Sequence, residues 1–292
     1  MSEHSITHIS DTALMTAGCR ALETERPDGW ICDPLAARVA GERGLAIIRA
    51  LPGMQVMCFG VGMRSRILDV LLVEEIPARG VRTVLSAGAG LDTRPWRITL
   101  PPSLRWIEAD LGPILEYKRE ALAGAEPNCR VEQMVVDLVD ADARARLFGE
   151  SGEGPSMLIT EGLLMYLPGA VIESIATEAA AAGVRYWLLD VSTSAMSAAT
   201  RMREYKDIQA MRAVDHLEGE DILEAATRAG WRDIASRTYA RDGMKLVPPA
   251  RLEAIVKARA AAKPGELPPP PPPTDPSGVH LFEFNPSGSR SS

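Results

Sequence analysis

One stretch of the sequence, Arg82–Arg97, constrains the fold of this chain more than any other. It reads R-T-V-L-S-A-G-A-G-L-D-T-R-P-W-R, so that a short apolar run, Val81–Leu85, is followed by Gly88-Ala89-Gly90. An apolar run of this length that is closed by glycines predicts the first strand of a parallel α/β sheet. Glycine has no Cβ, so the backbone can turn sharply here and a ligand can lie directly against it. In a doubly wound sheet this turn lies at the carboxyl edge of the strands, where ligands bind.

The glycine turn is compatible with more than one ligand. A dinucleotide fingerprint has a third glycine that lets a long helix pack closely on the strand, but that position is Thr93 here, and Pro101-Pro102 ends the following helix early. A G-x-G followed by Asp92 and no third glycine favours S-adenosylmethionine, which has no pyrophosphate to place at a helix N-terminus. A tight turn without any ligand remains the alternative at this point.

The remainder of the chain alternates between predicted strands and helices. Further strands are predicted at 104–109, 130–136, 156–160, 185–189 and 231–239, and helices at 113–124, 140–148, 168–182, 219–229 and 248–262. Regular alternation of this kind predicts a parallel sheet with right-handed crossovers. Three helices, at 10–26, 34–51 and 60–76, precede the first strand, so residues 1–80 are predicted to form a helical N-terminal cap on a core at 81–292.

An acidic residue directly follows each of four predicted strands. These residues are Asp110, Asp137, Glu161 and Asp190. Carboxylates at the carboxyl edge of a sheet are costly unless they bind something. Asp110 comes 20 residues after Gly90, a spacing that suits an acid accepting hydrogen bonds from ribose hydroxyls. The alternative for each acid is an N-cap of the next helix, and for Asp190 this is the favoured interpretation.

Composition excludes several classes of function. The net charge of −7 argues against non-specific nucleic-acid binding, which needs a basic face. The four cysteines lie far apart without a C-x-x-C pair, which predicts reduced thiols in a cytoplasmic protein and no metal site. The first residues lack the features of a signal peptide, and no apolar run approaches the ~20 residues of a membrane helix. We therefore expect no membrane partner.

Several blocks of sequence together resemble one enzyme family. G-A-G-L-D-T-R-P-W-R, I-E-A-D-L-G-P-I-L-E-Y-K-R and I-T-E-G-L-L-M-Y-L-P are similar to S-adenosylmethionine-dependent O-methyltransferases of the leucine carboxyl methyltransferase type, which include polyketide carboxyl methyltransferases. The resemblance covers about residues 8–240. It implies a Rossmann-like class I methyltransferase sheet, α/β and mostly parallel, whose last strand, Val279–Phe284, is antiparallel. It also implies a lid insertion at 192–217.

The resemblance implies a role for individual residues. Arg64 would grip the carboxylate of S-adenosylmethionine, Asp110 would bind its ribose, and Glu161 would contact its amino group. Asp137 would accept from the adenine amino group, with the Leu138 backbone beside the ring. The complete predicted cofactor-binding set is Arg64, Gly88, Ala89, Gly90, Asp110, Asp137, Leu138 and Glu161.

The predicted reaction is methyl transfer to an oxygen of a small-molecule acceptor, with a role in secondary metabolism. A carboxylate is already nucleophilic at neutral pH, whereas a phenol or alcohol usually needs a general base. Histidine is scarce, and His216 is only a weak candidate for such a base. Scarcity of histidine favours a carboxylate. The alternatives are a hydroxyl O-methyltransferase, a non-catalytic S-adenosylmethionine-binding protein and an NAD-dependent dehydrogenase.

The sequence leaves the identity of the acceptor and the oligomeric state open. It also contains six consecutive prolines, 268–273, within a Pro-rich segment at 264–278. Such a run favours an extended polyproline conformation that cannot join a sheet ladder. We expect this segment to be a solvent-exposed connector.

Overall fold

The computed structural model of the protein describes residues 9–51, 53–200, 206–263 and 269–285. Within them, seven strands form a single sheet. The strands are β1 (Thr83–Ala87), β2 (Arg105–Asp110), β3 (Arg130–Val135), β4 (Ser156–Thr160), β5 (Tyr186–Val191), β6 (Trp231–Thr238) and β7 (Gly278–Phe284).

Helices precede, separate and follow these strands. They are α1 (Ile9–Glu25), α2 (Ala36–Ala50), α3 (Met54–Ala78), α4 (Arg94–Arg97), α5 (Gly112–Ala121), α6 (Ala141–Gly149), α7 (Gly169–Ala181), α8 (Ser194–Ala199), α9 (Lys206–Met211), α10 (Gly219–Arg228), α11 (Met244–Leu246) and α12 (Pro249–Ala261). Leu164–Tyr166 forms a short 3₁₀ turn and Tyr239–Gly243 a π-helical turn.

The strand order in the sheet is β3-β2-β1-β4-β5-β7-β6. Strands β1 to β5 pair in parallel, and β7 is antiparallel to both β5 and β6. β1 lies between β2 and β4, and all five of its residues are buried, as expected for a parallel strand covered on both faces. The predicted fold class, including the antiparallel last strand, is confirmed.

Apolar side chains cover both faces of the sheet. On one face Leu85, Leu158 and Trp187 pack with residues of α6, α7 and α10. On the other face Trp106 and Leu188 pack with α3. The predicted apolar face of α3, formed by Ile67, Leu68, Leu71 and Leu72, is buried in this second layer. The last helix before the sheet therefore belongs to the same hydrophobic core as the strands.

The observed end of β5 corrects one prediction. β5 continues to Val191, which pairs with Gly278 of β7, so Asp190 lies inside the strand. The N-cap of the next helix is Thr193, whose hydroxyl accepts from the Met196 N–H at 3.1 Å. The interpretation of Asp190 as a helix cap is therefore wrong, because antiparallel pairing with β7 extends the strand beyond it.

Candidate functional site

A cavity of about 930 Å³ opens at the carboxyl edge of the sheet. Its walls come from the loops that follow β1, β2, β3 and β4, from the end of β5, and from α1, α3, α8, α9 and α12. All eight predicted cofactor-binding residues line it: Arg64, Gly88, Ala89, Gly90, Asp110, Asp137, Leu138 and Glu161. The structure thus brings the whole predicted set together, whereas the role of each residue stays a prediction.

The glycine turn places backbone directly on the cavity. Gly88 and Gly90 have φ angles of 66° and 43°, in the left-handed region that glycine adopts most readily. The N–H groups of Gly88 and Ala89 donate to the Ala109 carbonyl at 2.8 and 3.2 Å. A Cβ at Gly88 would lie 2.7 Å from Leu163 Cδ1, so no other residue fits there without displacing Leu163.

Asp110 holds this turn against the end of β2. Its Oδ2 accepts from the Gly90 N–H and its Oδ1 from the Leu111 N–H, both at 2.7 Å. Burial raises the pKa of Asp110, and these two hydrogen bonds only partly offset the effect. A carboxylate has about four lone-pair sites, so both oxygens can accept further hydrogen bonds from a ligand.

The loop after β3 contributes one exposed carboxylate and one buried apolar side chain. Asp137 is exposed and its Oδ1 accepts from the Val139 N–H at 2.9 Å. Leu138 is buried, and its carbonyl accepts from Arg144 Nη1 at 2.8 Å. The Leu138 carbonyl is thus already engaged by the protein. Leu138 and Ile114 are apolar residues that line the same cavity as Asp137.

Arg64 connects two strand ends. Its Nε donates to Glu161 Oε1 at 2.9 Å and its Nη1 to Asp190 Oδ2 at 3.3 Å. Asp190 Oδ1 also accepts from the Gly162 N–H at 2.6 Å. Burial lowers the pKa of the Arg64 guanidinium, but Asp190 and Glu161 more than offset this and the net shift is upward. Burial raises the pKa of Asp190, with Arg64 opposing it. Asp190 is therefore a site residue that the sequence interpretation missed.

A second arginine, Arg94, was not predicted at all. It is 2% exposed, its Nη1 donates to Glu161 Oε2 and to Asp92 Oδ2, and its Nε donates to Asp69 Oδ1 at 2.7 Å. Burial alone would raise the pKa of Asp92 and Glu161, but Arg94 and other nearby cations more than offset this effect, and the pKa of both carboxyls is lowered. The available signal was the position of Arg94 in a very short helix immediately after the glycine turn.

Thr93 occupies the position where a dinucleotide fingerprint has its third glycine. Its hydroxyl donates to Asp33 Oδ2 at 2.7 Å, and Arg20 Nε donates to the same oxygen at 2.8 Å. Arg20 Nη2 also donates to the Leu91 carbonyl at 2.7 Å. Thr93 thus serves to bind the N-terminal helices to the glycine turn. Asp33 Oδ2 thus accepts from both Arg20 and Thr93. The residue at the N-cap position of α2 is Leu35.

His216 does not line the cavity. Its Nδ1 donates to the Ala213 carbonyl at 2.7 Å, and its Nε2 lies 3.6 Å from Glu218 Oε1. The geometry therefore does not support the weak prediction of a general base at this position. Two tyrosines, Tyr166 and Tyr239, do line the cavity, but burial raises the pKa of both hydroxyls. Neither phenol is poised to remove a proton at neutral pH.

The predicted lid and the Pro-rich segment both contribute to the walls. Residues 201–205 of the predicted lid lie outside the described residues, and the lining residues within 192–217 are Ser192, Met196, Ser197, Ala199, Thr200, Ile208, Gln209, Arg212 and Leu217. Prolines 269–273 are mostly exposed, but Pro270, Pro271 and Pro273 also face the cavity. The expected connector is thus part of the site as well, apart from 264–268, which are not described.

Two negative findings apply to the described ranges. No helix among those residues combines the length and apolar character needed to cross a bilayer. No group of three or more His, Cys, Asp or Glu side chains in the same ranges could hold a metal ion.

Comparison with known sequences gives a consistent set of similarities. The sequence model of the family described as leucine carboxyl methyltransferase matches residues 13–180. A Mycolicibacterium paratuberculosis protein, provisionally named an S-adenosyl-L-methionine-dependent methyltransferase, is 34% identical over 186 residues, which are 59% of this chain and 62% of that protein. A similarly named protein from Mycobacterium sp. strain KMS is 36% identical over 187 residues. The chain spans about 62% of the length of these curated relatives.

Two solved structures share the fold at low sequence identity. A DUF574 family protein from Streptomyces avermitilis has a TM-score of 0.55 and 14% identity, and the match covers 92% of this chain and 97% of that one. A Thermobifida fusca protein, provisionally described as a methyltransferase, has a TM-score of 0.52 and 15% identity, with 94% of each chain covered. These likenesses support the arrangement of sheet and helices.

Proposed function

Because the chain belongs to the leucine carboxyl methyltransferase family, we propose that it transfers a methyl group from S-adenosylmethionine to a carboxylate oxygen of a small molecule. The product would be a methyl ester. The family assignment agrees with the predicted recognition and cofactor, since the curated relatives are named as S-adenosylmethionine-dependent enzymes. The observation that carries the proposal is the single cavity that joins the glycine turn and the strand-end carboxylates to an apolar compartment.

The cavity fits S-adenosylmethionine by shape. Gly90 offers an open backbone surface, because a Cβ there would have only Ala13 Cβ at 3.5 Å and the Gly88 carbonyl at 3.9 Å as neighbours. Single small-molecule sites have volumes of about 300–1,000 Å³. The observed volume of about 930 Å³ lies at the upper end of this range, as expected for a site that admits an acceptor beside the cofactor.

The cavity also fits the cofactor by charge. Five carboxylates line the sheet edge, where the sulfonium and ammonium groups of S-adenosylmethionine would need negative partners; they are Asp92, Asp110, Asp137, Glu161 and Asp190. Arg64 lies between two of them and pairs with Glu161 at 2.9 Å and with Asp190 at 3.3 Å. It can meet the methionyl carboxylate through its guanidinium.

The residues of the chain perform binding, orientation and exclusion of water. Asp110 accepts from the ribose hydroxyls while it keeps the glycine turn in place. Glu161 and Arg64 hold the two ends of the amino-acid group. When bound, the cofactor supplies an electrophilic methyl group on a sulfonium sulfur. Alignment of donor and acceptor in a dry site then provides most of the rate enhancement.

The lining composition favours a carboxylate acceptor over a hydroxyl. Among the described lining residues there is no histidine, lysine or cysteine, and the two tyrosines have raised pKa values. The strand-end carboxylates are engaged by arginines or backbone N–H groups. An acceptor that is already ionised needs no base from the protein.

Calorimetric titration and a product assay test this proposal together. Wild type and Asp110→Ala would be titrated with S-adenosylmethionine, S-adenosylhomocysteine and NAD, and carboxylic acids would be screened for methyl esters. We expect micromolar binding of both adenosyl compounds that Asp110→Ala weakens at least tenfold, together with S-adenosylhomocysteine release in the presence of an acid. Binding of NAD but of neither adenosyl compound would contradict the proposal. Methylation of alcohols but not of acids would show that the acceptor is a hydroxyl group instead of a carboxylate.

A further inference from the structure

Charges are segregated within the cavity. The five lining carboxylates all belong to the sheet edge, from Asp92 to Asp190. From Ser192 onward the described lining residues include Arg212 and Arg259 and no aspartate or glutamate. The lining residues of α1 and α3 likewise include Arg20 and Arg64 and no acid. An acidic wall thus faces walls whose charged lining groups are arginines, which favours an anionic second ligand.

Arg212 is the buried arginine with the weakest protein partners in this compartment. Its side chain is 9% exposed, and its Nε has no hydrogen-bond partner. Nη1 donates to Gln209 Oε1 at 3.4 Å, and Nη2 lies 3.7 Å from Glu218 Oε2, beyond hydrogen-bond distance. A buried guanidinium with an unpaired N–H carries a desolvation cost that a bound anion would remove.

The hydroxyl of Tyr166 interacts electrostatically with both Arg212 and Arg64. Burial raises the pKa of the Tyr166 hydroxyl, while a hydrogen bond with Thr12 and the charges of both Arg64 and Arg212 oppose the rise. Tyr166 is therefore within electrostatic range of the two arginines. Arg64, Tyr166 and Arg212 all line the same cavity, so an anion bound by Arg212 would share that cavity with the cofactor.

An apolar cluster surrounds Ile208 of α9, close in sequence to Arg212. Ile208, one turn before Arg212, is buried in a cluster with Met15 and Val61, and Met57 packs against the same cluster. Met15, Met57 and Ile208 also line the cavity. Methionine side chains adapt to irregular apolar shapes, so this wall suits the body of an elongated acyl or aryl group.

We propose that Arg212 binds the carboxylate that receives the methyl group, and that the acceptor is a carboxylic acid whose apolar body lies against the Met15–Met57–Ile208 wall. This inference rests on the proposed function. One carboxylate oxygen forms the new bond to the methyl carbon, and the carbon–sulfur bond breaks with its electron pair going to sulfur. No proton is transferred, because Arg212 binds the acid in its ionised form.

The test uses the full chain, decanoic acid and 4-phenylbutyric acid, and the primary amide of each acid. Binding is measured by calorimetry in the presence of S-adenosylhomocysteine, and methyl ester formation is followed with S-adenosylmethionine. The variants are Arg212→Gln and Arg212→Lys. Arg228→Gln is the matched control, because Arg228 is an exposed arginine outside the cavity lining that pairs with Glu173 and Glu224.

Wild type is expected to bind each acid at least tenfold more tightly than its amide. Arg212→Gln should lower kcat/KM for the acids about 10- to 100-fold and abolish the preference over the amides. It should leave the S-adenosylhomocysteine Kd within about twofold. Arg212→Lys should restore part of the preference, since it keeps the charge and loses the planar fork, and Arg228→Gln should behave as wild type.

Two results would overturn the inference, and they differ from failure of the proposed function. The first result is that Arg212→Gln methylates the acids as well as wild type does. The second is that wild type binds each acid and its amide equally tightly. Either result would show that Arg212 does not bind the acceptor. Wild type that binds S-adenosylmethionine and methylates hydroxyl compounds but no acid would overturn the proposed function itself.

Discussion

At the scale of single residues, Gly162 controls where Arg64 lies. Its φ angle is +60°, and an added Cβ would lie 3.0 Å from both Nη1 and Nη2 of Arg64. The backbone of the loop after β4 thus packs directly against the Arg64 guanidinium. Gly80 has nearly the same φ angle, +62°, but nothing lies within 4 Å of its Cβ position.

Gly162→Ala is predicted to weaken S-adenosylhomocysteine binding about tenfold or more, because the methyl group displaces Arg64. Gly80→Ala carries the same backbone strain, about 1–2 kcal/mol, without touching the site. Both variants should therefore lose similar stability in thermal melts, and calorimetric titration should separate them. Equal loss of binding in the two variants would show that strain, and not displacement of Arg64, is responsible.

A second prediction at the scale of single residues concerns Asp92 and the pH dependence of the free energy of unfolding. Burial raises its pKa, but Arg94 and further cations hold the pKa well below the ordinary value of 3.8. A carboxyl with a lowered folded-state pKa stabilises the protein above its ordinary pKa and loses that contribution as pH falls towards the folded-state value. We expect Asp92→Asn to lower the free energy of unfolding by about 1–3 kcal/mol at pH 7.

This penalty should shrink as the pH falls below about 4, because Asp92 then takes up a proton in the unfolded wild-type chain while it stays ionised in the folded protein. Urea titrations of wild type and Asp92→Asn between pH 7 and pH 3 measure it. Asp142→Asn, an exposed change in the first turn of α6, is the control and should stay within about 0.5 kcal/mol at every pH. A pH-independent gap between wild type and Asp92→Asn would contradict the role of its ionised form.

At the scale of elements, a buried polar cluster joins the Pro-rich segment to α8. The Thr193 hydroxyl donates to Asp275 Oδ2 at 2.7 Å, and Ser277 Oγ accepts from the Thr193 N–H at 2.8 Å. Asp275 Oδ1 also accepts from the Ser277 N–H at 2.8 Å. All three residues are buried. This cluster holds the start of β7 and the prolines before it in place beside the cavity.

Asp275→Ala is predicted to raise KM for the acceptor several-fold and to leave S-adenosylhomocysteine affinity within about twofold. The reason is that the prolines line the cavity, whereas the side-chain hydrogen bonds described for this cluster do not involve the predicted cofactor residues. Thr274→Ala changes an exposed neighbour and is expected to match wild type. Steady-state kinetics and calorimetry make the comparison. A loss of cofactor affinity equal to the rise in KM would contradict a local role.

At the scale of the whole molecule, charged contacts tie the N-terminal helices to the remainder of the chain. Arg251 of α12 donates to both oxygens of Glu23 in α1, at 2.5 and 2.8 Å, across 228 positions of sequence. Its guanidinium also lies 5.5 Å from the ring centre of Trp30 and 5.0 Å from that of Phe59. Arg20, Asp33 and Thr93 make a second connection at the glycine turn.

These connections predict a single cooperative unfolding transition in calorimetry, without separate melting of residues 1–80. Glu23→Gln leaves Arg251 buried without its charged partner, which costs about 3–5 kcal/mol. We expect a marked fall in Tm with the transition still single. Asp28→Asn, in the exposed Arg26–Asp28 pair, should barely change Tm. Two resolved transitions in wild type would contradict this coupling.

The sequence by itself determined the elements and their order. Val81–Leu85, the glycines at 88 and 90 and the acids after each strand are local signals, because hydrophobic period and glycine freedom act over a few residues. Parallel strands place their carboxyl ends at one edge, so the gathering of Asp110, Asp137 and Glu161 followed from the β-α alternation alone. Arg64 was added to the predicted site only because the sequence resembles a methyltransferase family in which the matching arginine binds the cofactor.

Only the tertiary structure decided which of these groups became partners. Arg64 and Asp190 pair across 126 positions, and no local pattern encodes that contact. Arg94, Thr93 and Arg212 likewise acquired their surroundings from the docking of the N-terminal helices and α9 onto the sheet. Pairing of this kind depends on where burial removes water from a charge, which is a property of the folded arrangement and not of neighbouring residues in sequence.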